Sequence, residues 1–252
     1  MTFWQAFKNT YRGSIAFLIA CPILAFFPVA FEILQHAVEI KIGKYDSIAA
    51  AKAMEHHPLR MGFGMLKIVA LSVATYWITR FMPQRDARFA ATVDPLAIRL
   101  FAGYLAFGIG FAAIQLFALP QTGGTSLLSF LVGQIVGSLL IAWGVASTFG
   151  NASVGPVASI RIMARHLPWT FAFTFVVMMP VMIPHYGLGA FALLGPKSLL
   201  WPTMIVDSLL VGWLTAVICA GAYYAAIRAA KAAGVDLSCA RPRSTLTFVE
   251  DI

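Results

Sequence analysis

Residues 100–119 (LFAGYLAFGIGFAAIQLFAL) and 127–147 (LLSFLVGQIVGSLLIAWGVAS) decide the fold of this chain. No Asp, Glu, Lys or Arg lies between Arg99 and Arg161. Each run has the length of about 20 mostly apolar residues that a helix needs to cross a bilayer. The turn sequence PQTGG at residues 120–124 separates the two runs. The stretch therefore predicts two transmembrane helices joined by a short turn.

The composition extends this prediction to the whole chain. Hydrophobic residues make up 60% of the 252 residues and charged residues 11%, whereas a soluble domain carries about 25% charged residues. This balance excludes an ordinary soluble enzyme, a disordered segment and a DNA-binding domain. Four further apolar runs bring the predicted number of transmembrane helices to six: Gly13–Leu34, Gly62–Phe81, Leu167–Ile183 and Ser198–Ile227. The predicted fold class is an all-α polytopic membrane helix bundle.

The segments outside the spans predict short interfacial helices and a tail. Residues 46–55 open with Asp-Ser, a pair that can cap a helix, and predict an amphipathic helix on the outer membrane surface. Residues 84–99 predict a second amphipathic helix on the inner surface. We expect residues 1–235 to form one six-span domain and residues 236–252 to form a polar cytoplasmic tail.

The basic residues predict the orientation of the bundle. With the N-terminus in the cytoplasm, Lys and Arg residues are more numerous in the inner segments than in the outer loops, which favours two cytoplasmic termini. The inner ones are Lys8, Arg12, Arg80, Arg85, Arg88, Arg99, Arg161, Arg165, Arg228, Lys231, Arg241 and Arg243. The outer ones are Lys41, Lys44, Lys52, Arg60 and Lys197. Because these charges flank apolar runs, we expect the net charge of +8 to face lipid headgroups in a bacterial inner membrane rather than nucleic acid.

Small residues at helical spacing predict how the spans pack. Without water to drive association, helices in lipid approach closely where Gly and Ala replace bulky side chains. Such residues recur in the third, fourth and sixth spans: Ala106 and Gly110; Gly133, Gly137 and Gly144; Gly212, Ala216 and Ala220. Gln115 and Gln134 are polar side chains placed to bond across helices. These faces predict packing inside the bundle, against a second copy or against other membrane subunits.

Histidines and acids gather at the predicted outer side of the membrane. Glu32 and His36 lie four residues apart and share a helix face. His56 and His57 immediately precede the second span, and His185 follows the predicted fifth span. Imidazole and carboxylate groups together form a ligand set for zinc, iron or manganese. The sequence therefore leaves a divalent metal site open, beside the alternative that these polar residues only mark helix ends.

Asp207 is the sharpest single residue in the chain. It follows an apolar run and precedes twenty uncharged residues, so it is either an intramembrane carboxylate or a marker of the membrane interface. An intramembrane acid indicates a functional site by default, and Lys67 or His185 is its expected partner. Three prolines would kink the first and fifth spans, as a transporter requires: Pro22, Pro28 and Pro180.

One segment carries a family resemblance. Residues 155–169 (GPVASIRIMARHLPW) form a small Ser- and Arg-containing amphipathic segment that leads through an aromatic residue into the fifth span. This segment resembles the uncharacterised bacterial six-span membrane family that includes YciC and the membrane domains attached to some glycerophosphodiester phosphodiesterases. The aromatic start at residues 3–7 (FWQAF) is also similar. The resemblance implies six spans and cytoplasmic termini, and it supplies no catalytic residues.

Three functions remain open on the sequence. The chain contains no GxSxG elbow, P-loop, HExxH motif or paired Asp-rich phosphotransfer motif. We therefore expect a non-catalytic helix-packing subunit or accessory factor of an inner-membrane complex. The first alternative is a small-molecule or lipid transporter that uses the kinked helices and Asp207. The second alternative is a metal-dependent membrane enzyme with an outer-face His/Glu site.

Overall fold

A computed structural model describes residues 1–119 and 123–238 of the chain. Within this part the chain forms helices and turns and no strand, which confirms the all-α class. The α-helices are α1 (Phe3–Ala20), α2 (Pro22–Lys41), α3 (Ile48–Ala53), α4 (Pro58–Gln84), α5 (Ala87–Ala91), α6 (Pro95–Ala113), α7 (Gly123–Thr148), α8 (Pro156–Met163), α9 (Leu167–Leu194) and α10 (Leu200–Ala232).

Six helical segments of the described chain are long and apolar enough to cross a membrane. They are Pro22–Lys41, Pro58–Gln84, Pro95–Ala118, Gly124–Thr148, Pro156–Leu194 and Lys197–Ala232. The third segment joins α6 to a π-helical turn at Ile114–Ala118. The prediction of six spans is thus confirmed by length and composition. Most segments extend beyond the predicted bounds.

The first span differs from its prediction, because Gly13–Leu34 is divided between two helices. Cys21 leaves the helical conformation, with φ −128° and ψ 53°, and separates α1 from α2. The cause is local: Pro22 disfavours helical geometry at the residue before it and has no N–H to donate. Pro28 and Pro180, in contrast, remain inside continuous helices.

The two predicted interfacial helices are shorter than expected. The first is α3, which Ser47 caps by accepting a hydrogen bond from the Ala50 backbone N–H at 3.0 Å. The second is α5, after which Asp94 caps α6 through the N–H groups of Leu96 and Ala97. The third span therefore starts at Pro95, because an Asp-Pro pair is a strong helix start.

Helix α10 lies at the centre of the bundle and packs against α1, α2, α4, α7 and α9. Its small residues Gly212, Ala216 and Ala220 are buried, as interior packing requires. At Gly212 the approach of α2 is closest, since a Cβ there would lie 2.5 Å from Val29 Cγ2. The absence of a side chain at this position lets α2 lie against α10.

The other predicted packing residues divide into buried and exposed positions. Gly144 is buried against Tyr104, and Gly133 faces the Gln115 amide. Gln115 bonds across helices by donating to the Ser129 carbonyl of α7 at 2.7 Å, whereas Gln134 is half-buried. Three residues are exposed and thus lie away from the packing contacts of the chain: Ala106, Gly110 and Gly137.

The end of the bundle where α4 and α7 finish is held by polar contacts to backbone carbonyls. The buried Arg80 guanidinium donates to the Thr148 carbonyl at the end of α7, at 2.8 Å. Asn151 donates to the Asp236 carbonyl at 3.1 Å, and Leu237 is buried in the main core. The packed body therefore continues past residue 235, where we expected the tail to begin; Cys239 and the rest of that tail lie outside the described residues.

Replacement of Gly212 by leucine tests the central packing. We expect Gly212→Leu to lower stability by about 1–3 kcal/mol, the usual cost of overpacking a core, because the new side chain must displace Val29. Gly187→Leu is the control, since Gly187 is exposed on α9 and nothing lies within 4 Å of a Cβ at that position. Thermal unfolding of both variants in detergent measures the difference, and equal midpoints would contradict this packing arrangement.

Candidate functional site

Acidic and histidine side chains from three helices meet near one end of the bundle. We call Glu32, His36, Glu39, His185 and Asp207 the acid–histidine centre. The first three lie on α2, His185 lies on α9 and Asp207 lies on α10. The centre lies at the end of the bundle where α2 and α9 finish and α4 and α10 begin.

The centre extends into the membrane-spanning part of the bundle. Glu32 precedes the end of α2 by nine residues, which corresponds to about 14 Å at 1.5 Å per residue. Asp207 follows the start of α10 by seven residues, or about 10 Å. Both carboxylates are 1% exposed. Asp207 is therefore an interior carboxylate and not a marker of the helix end.

Asp207 lies between two imidazole rings. His185 Nδ1 is 2.7 Å from Asp207 Oδ1, and His36 Nε2 is 3.1 Å from Asp207 Oδ2. Each carboxylate oxygen thus has its own ring nitrogen as a donor. His185 is the partner that we expected for Asp207. These contacts join α2, α9 and α10 through one side chain.

Glu32 completes a group of three ligand-type atoms. Its Oε1 lies 3.4 Å from His36 Nε2, on the same ring nitrogen that faces Asp207. One ligand atom each from Glu32, His36 and Asp207 lies within 4.8 Å of the others, and all three residues are buried. The expected partner Lys67 pairs with Glu32 instead of Asp207, with Nζ 3.1 Å from Oε2.

Glu39 lies near His36 Nδ1, the ring nitrogen that does not face Asp207, and several donors contact its carboxylate. Lys44 Nζ and Arg60 Nε lie 2.6 Å and 3.0 Å from Glu39 Oε1. The Tyr45 hydroxyl donates to Oε2 at 2.7 Å, and His36 Nδ1 lies 3.5 Å from the same oxygen. These donors fix the carboxylate, and through it they fix the orientation of the His36 ring.

The loop after α2 closes the centre from outside. Gly43 adopts φ +77°, a left-handed conformation that favours glycine, and a Cβ there would lie 2.7 Å from Asp46 Oδ2. This turn buries Tyr45 against Ala192 and Met204. Lys197 donates to the Tyr45 carbonyl and ties the loop to the start of α10.

Burial shifts the pKa values of the two loop side chains that contact Glu39. Burial raises the pKa of Tyr45 far above its ordinary value, and the negative charge of Glu39 raises it further. Tyr45 therefore keeps its proton and stays a donor to Glu39. Burial also lowers the pKa of Lys44, although the Glu39 carboxylate opposes this shift by favouring the ammonium form.

Two of the five predicted metal-ligating residues lie outside the centre. His57 caps α4, where its Nδ1 accepts a hydrogen bond from the Leu59 backbone N–H at 3.3 Å. His56 is exposed and lines a surface cavity with Met61 and Phe117. Their position beside Pro58 places them at a helix start, about 14 Å along α4 from Lys67.

Several members of the site have weak or no sequence signals. Glu39 follows His36 by three residues, so the helical face that predicted Glu32 and His36 extends to it. Lys44, Tyr45 and Arg60 come from a loop and a neighbouring helix, and no spacing rule connects them to α2. Gln35 also donates to Glu39 Oε1, at 3.4 Å, and its buried Oε1 has no partner in the described part of the chain.

The arrangement is suited to binding a cation. Carboxylate oxygens of Glu32 and Asp207 and a ring nitrogen of His36 lie within 4.8 Å of one another, and these atom types are common ligands of metal ions. Comparisons with protein-family models, with curated proteins and with solved structures found no match to this chain.

Removal of the Tyr45 hydroxyl tests the role of the loop. We expect Tyr45→Phe to lower stability by about 1.5–3 kcal/mol, the range for a hydrogen bond to a charged group, because buried Glu39 loses a donor. Tyr186→Phe is the matched control, since Tyr186 is 69% exposed. Unfolding midpoints in detergent report both changes, and a Tyr45→Phe protein as stable as the control would show that the loop contact contributes nothing.

Proposed function

We propose that this protein is a multi-pass membrane protein that binds a divalent transition-metal ion at the acid–histidine centre and depends on that ion for its activity. One observation carries the proposal: ligand atoms of Glu32, His36 and Asp207 lie within 4.8 Å of one another and are buried. Buried carboxylates inside a helix bundle are costly unless they are paired or coordinate a metal. Two such carboxylates and a histidine on two helices therefore favour a functional site.

The ligand set favours particular ions. A neutral imidazole nitrogen suits zinc, iron and manganese, whereas magnesium and calcium prefer oxygen ligands alone. Two carboxylates and one imidazole supply three protein ligands and leave at least one position for water or substrate. That composition is typical of catalytic metal sites rather than closed structural ones. It favours the metal-dependent alternative.

The groups around the ligands match the outer shell of a metal site. A metal-bound histidine commonly donates its other ring N–H to a carboxylate, which fixes the ring. Glu39 Oε2 lies 3.5 Å from His36 Nδ1 and has this role. His185 in turn contacts the Asp207 oxygen that faces away from His36. An ion would bind His36 Nε2 in place of the proton that this nitrogen otherwise donates to Asp207, with the other ring proton kept on Nδ1 toward Glu39.

The charges favour a location in the bacterial inner membrane with both termini in the cytoplasm. In that orientation twelve Lys and Arg residues lie inside and five outside, and the acid–histidine centre lies at the outer ends of the spans. The bilayer is then the partner of the exposed apolar surface. The ion would reach the centre from the outer side, past Tyr45 and Arg60.

Metal content of the purified full-length protein tests the proposal. We expect about one equivalent of zinc, manganese or iron per chain after loading and dialysis. The variants Glu32→Gln, His36→Gln and Asp207→Asn should each lower the affinity at least about tenfold, because each removes a ligand atom.

The controls for metal content are His56→Ala and His57→Ala, which change histidines outside the centre and should bind as the wild type does. Circular dichroism and gel filtration identify any variant that fails to fold. A folded wild-type protein that binds none of the three metals would show that the centre is a structural ion-pair network and would refute the proposal.

A second candidate function is that of a helix-packing subunit or accessory factor in a membrane complex, formed with other subunits or a second copy. The observation that favours it is the exposure of α6, of which Ala97 and Phe101 alone are buried within the described chain. Exposed small residues on α6 and α7, including Gly137, leave room for a helix of another chain. The resemblance of residues 155–169 to the YciC family is compatible with this function, and the segment forms α8 and the start of α9.

Size in mild detergent tests the subunit function. We expect the wild type to migrate as an assembly and Gly137→Leu to release a folded smaller species, because a bulky side chain prevents close helix contact. Native mass spectrometry distinguishes a second copy from a different protein. A monodisperse wild-type monomer with no co-purifying protein would exclude this candidate and leave metal binding unaffected.

A further inference from the structure

We infer that Lys67 is a tethered cation that holds Glu32 while the metal site is empty and competes with the ion for this ligand. The inference rests on the proposed metal binding and describes how the site is regulated. It assigns Lys67 a role in loading and release of the ion rather than in holding it.

The Lys67 ammonium directly contacts a candidate ligand residue. Lys67 Nζ lies 3.1 Å from Glu32 Oε2 and 3.2 Å from Oε1. Oε1 is also the oxygen that lies 3.4 Å from His36 Nε2, so it is the ligand atom of the proposed site. An ammonium group therefore already contacts the oxygen that an ion must bind.

The other two cations at the centre do not contact a candidate ligand. Lys44 and Arg60 pair with Glu39, which lies outside the group of three ligands. Their contacts fix His36 through Glu39 and do not occupy a ligand atom. Among the Lys and Arg residues that form ion pairs in the described part of the chain, Lys67 alone contacts a candidate ligand.

The charge balance of the centre also favours competition between Lys67 and an ion. The three carboxylates of Glu32, Glu39 and Asp207 are already balanced by the three cations Lys44, Arg60 and Lys67, before any charge on the histidines is counted. A divalent ion added to this group gives a surplus of two positive charges, which is unfavourable in a poorly solvated interior. Withdrawal of the Lys67 ammonium halves that surplus. The ion and the Lys67 ammonium therefore compete for Glu32.

The ammonium group of Lys67 can move away from Glu32 toward the surface. Its side chain is 23% exposed, whereas that of Glu32 is 2% exposed. Lysine carries its charge on a flexible four-carbon stem, and such a side chain can move its head group toward the surface while the helix stays in place. Displacement therefore needs no movement of α4.

Substitution of Lys67 by methionine tests the inference. We expect Lys67→Met to bind Zn²⁺ about tenfold more tightly than the wild type or better, because the competing charge is gone and the length of the side chain is kept. Competition with a chromophoric zinc chelator measures the affinity of the full-length protein in detergent. Lys67→Gln provides a second neutral variant if Lys67→Met unfolds.

Two variants separate the local contact from a general charge effect. Lys67→Arg keeps the positive charge and should not bind Zn²⁺ more tightly than the wild type. Lys52→Met removes an exposed cation on α3 and should leave the affinity unchanged. Tighter binding by Lys52→Met of the same size as by Lys67→Met would overturn the inference.

The remaining outcomes distinguish the inference from the proposed function. If the wild type binds Zn²⁺ and the neutral Lys67 variants bind equally or more weakly, Lys67 only positions Glu32 and the inference fails alone. If neither the wild type nor a folded Lys67 variant binds Zn²⁺, the proposed function fails and takes the inference with it. Binding by the neutral variants alone would also refute the proposed function and with it the inference, because the wild-type protein would then hold no ion with which Lys67 could compete.

Discussion

A carboxylate inside a transmembrane helix bundle has no bulk water to solvate it, and the position of Asp207 imposes this constraint on its surroundings. Both of its oxygens must find donors within the protein. His36 and His185 supply them from two different helices, at 3.1 Å and 2.7 Å. The ends of α2, α9 and α10 are therefore held together by one buried acid.

The other buried acids at the centre, which lie on α2, also need partners within the protein. His36 contacts Glu32 and Glu39 as well as Asp207, so satisfying one acid brings two more into the interior. Lys67, Lys44 and Arg60 compensate these charges from the neighbouring helix and loop. Replacement of buried ion pairs by apolar residues is often neutral or stabilising. The buried charges are therefore weak evidence of stability, and this is why we propose a ligand for the centre.

Close packing of the helices makes these contacts geometrically available. Gly212 lies five residues after Asp207 on α10, and its missing side chain admits Val29 of α2. Ala216 and Ala220 continue the buried small face toward the C-terminal end of α10. The acid–histidine centre and the small-residue face thus depend on the same pair of helices. Any displacement of α2 from α10 would separate His36 from Asp207.

The sequence by itself determined the all-α class, the six apolar segments and the individual candidates Glu32, His36, His185 and Asp207, because hydropathy and helical spacing are local properties. It placed Lys67 among the functional residues but with a different partner, and it grouped His56 and His57 with the ligands although they lie at a helix start. Tyr45, Lys44 and Arg60 had no signal, since contacts between a loop and distant helices leave no periodic pattern. The tertiary structure alone decided which polar groups meet, because that depends on how closely α2, α4, α9 and α10 approach and on the turn at Gly43 that buries Tyr45.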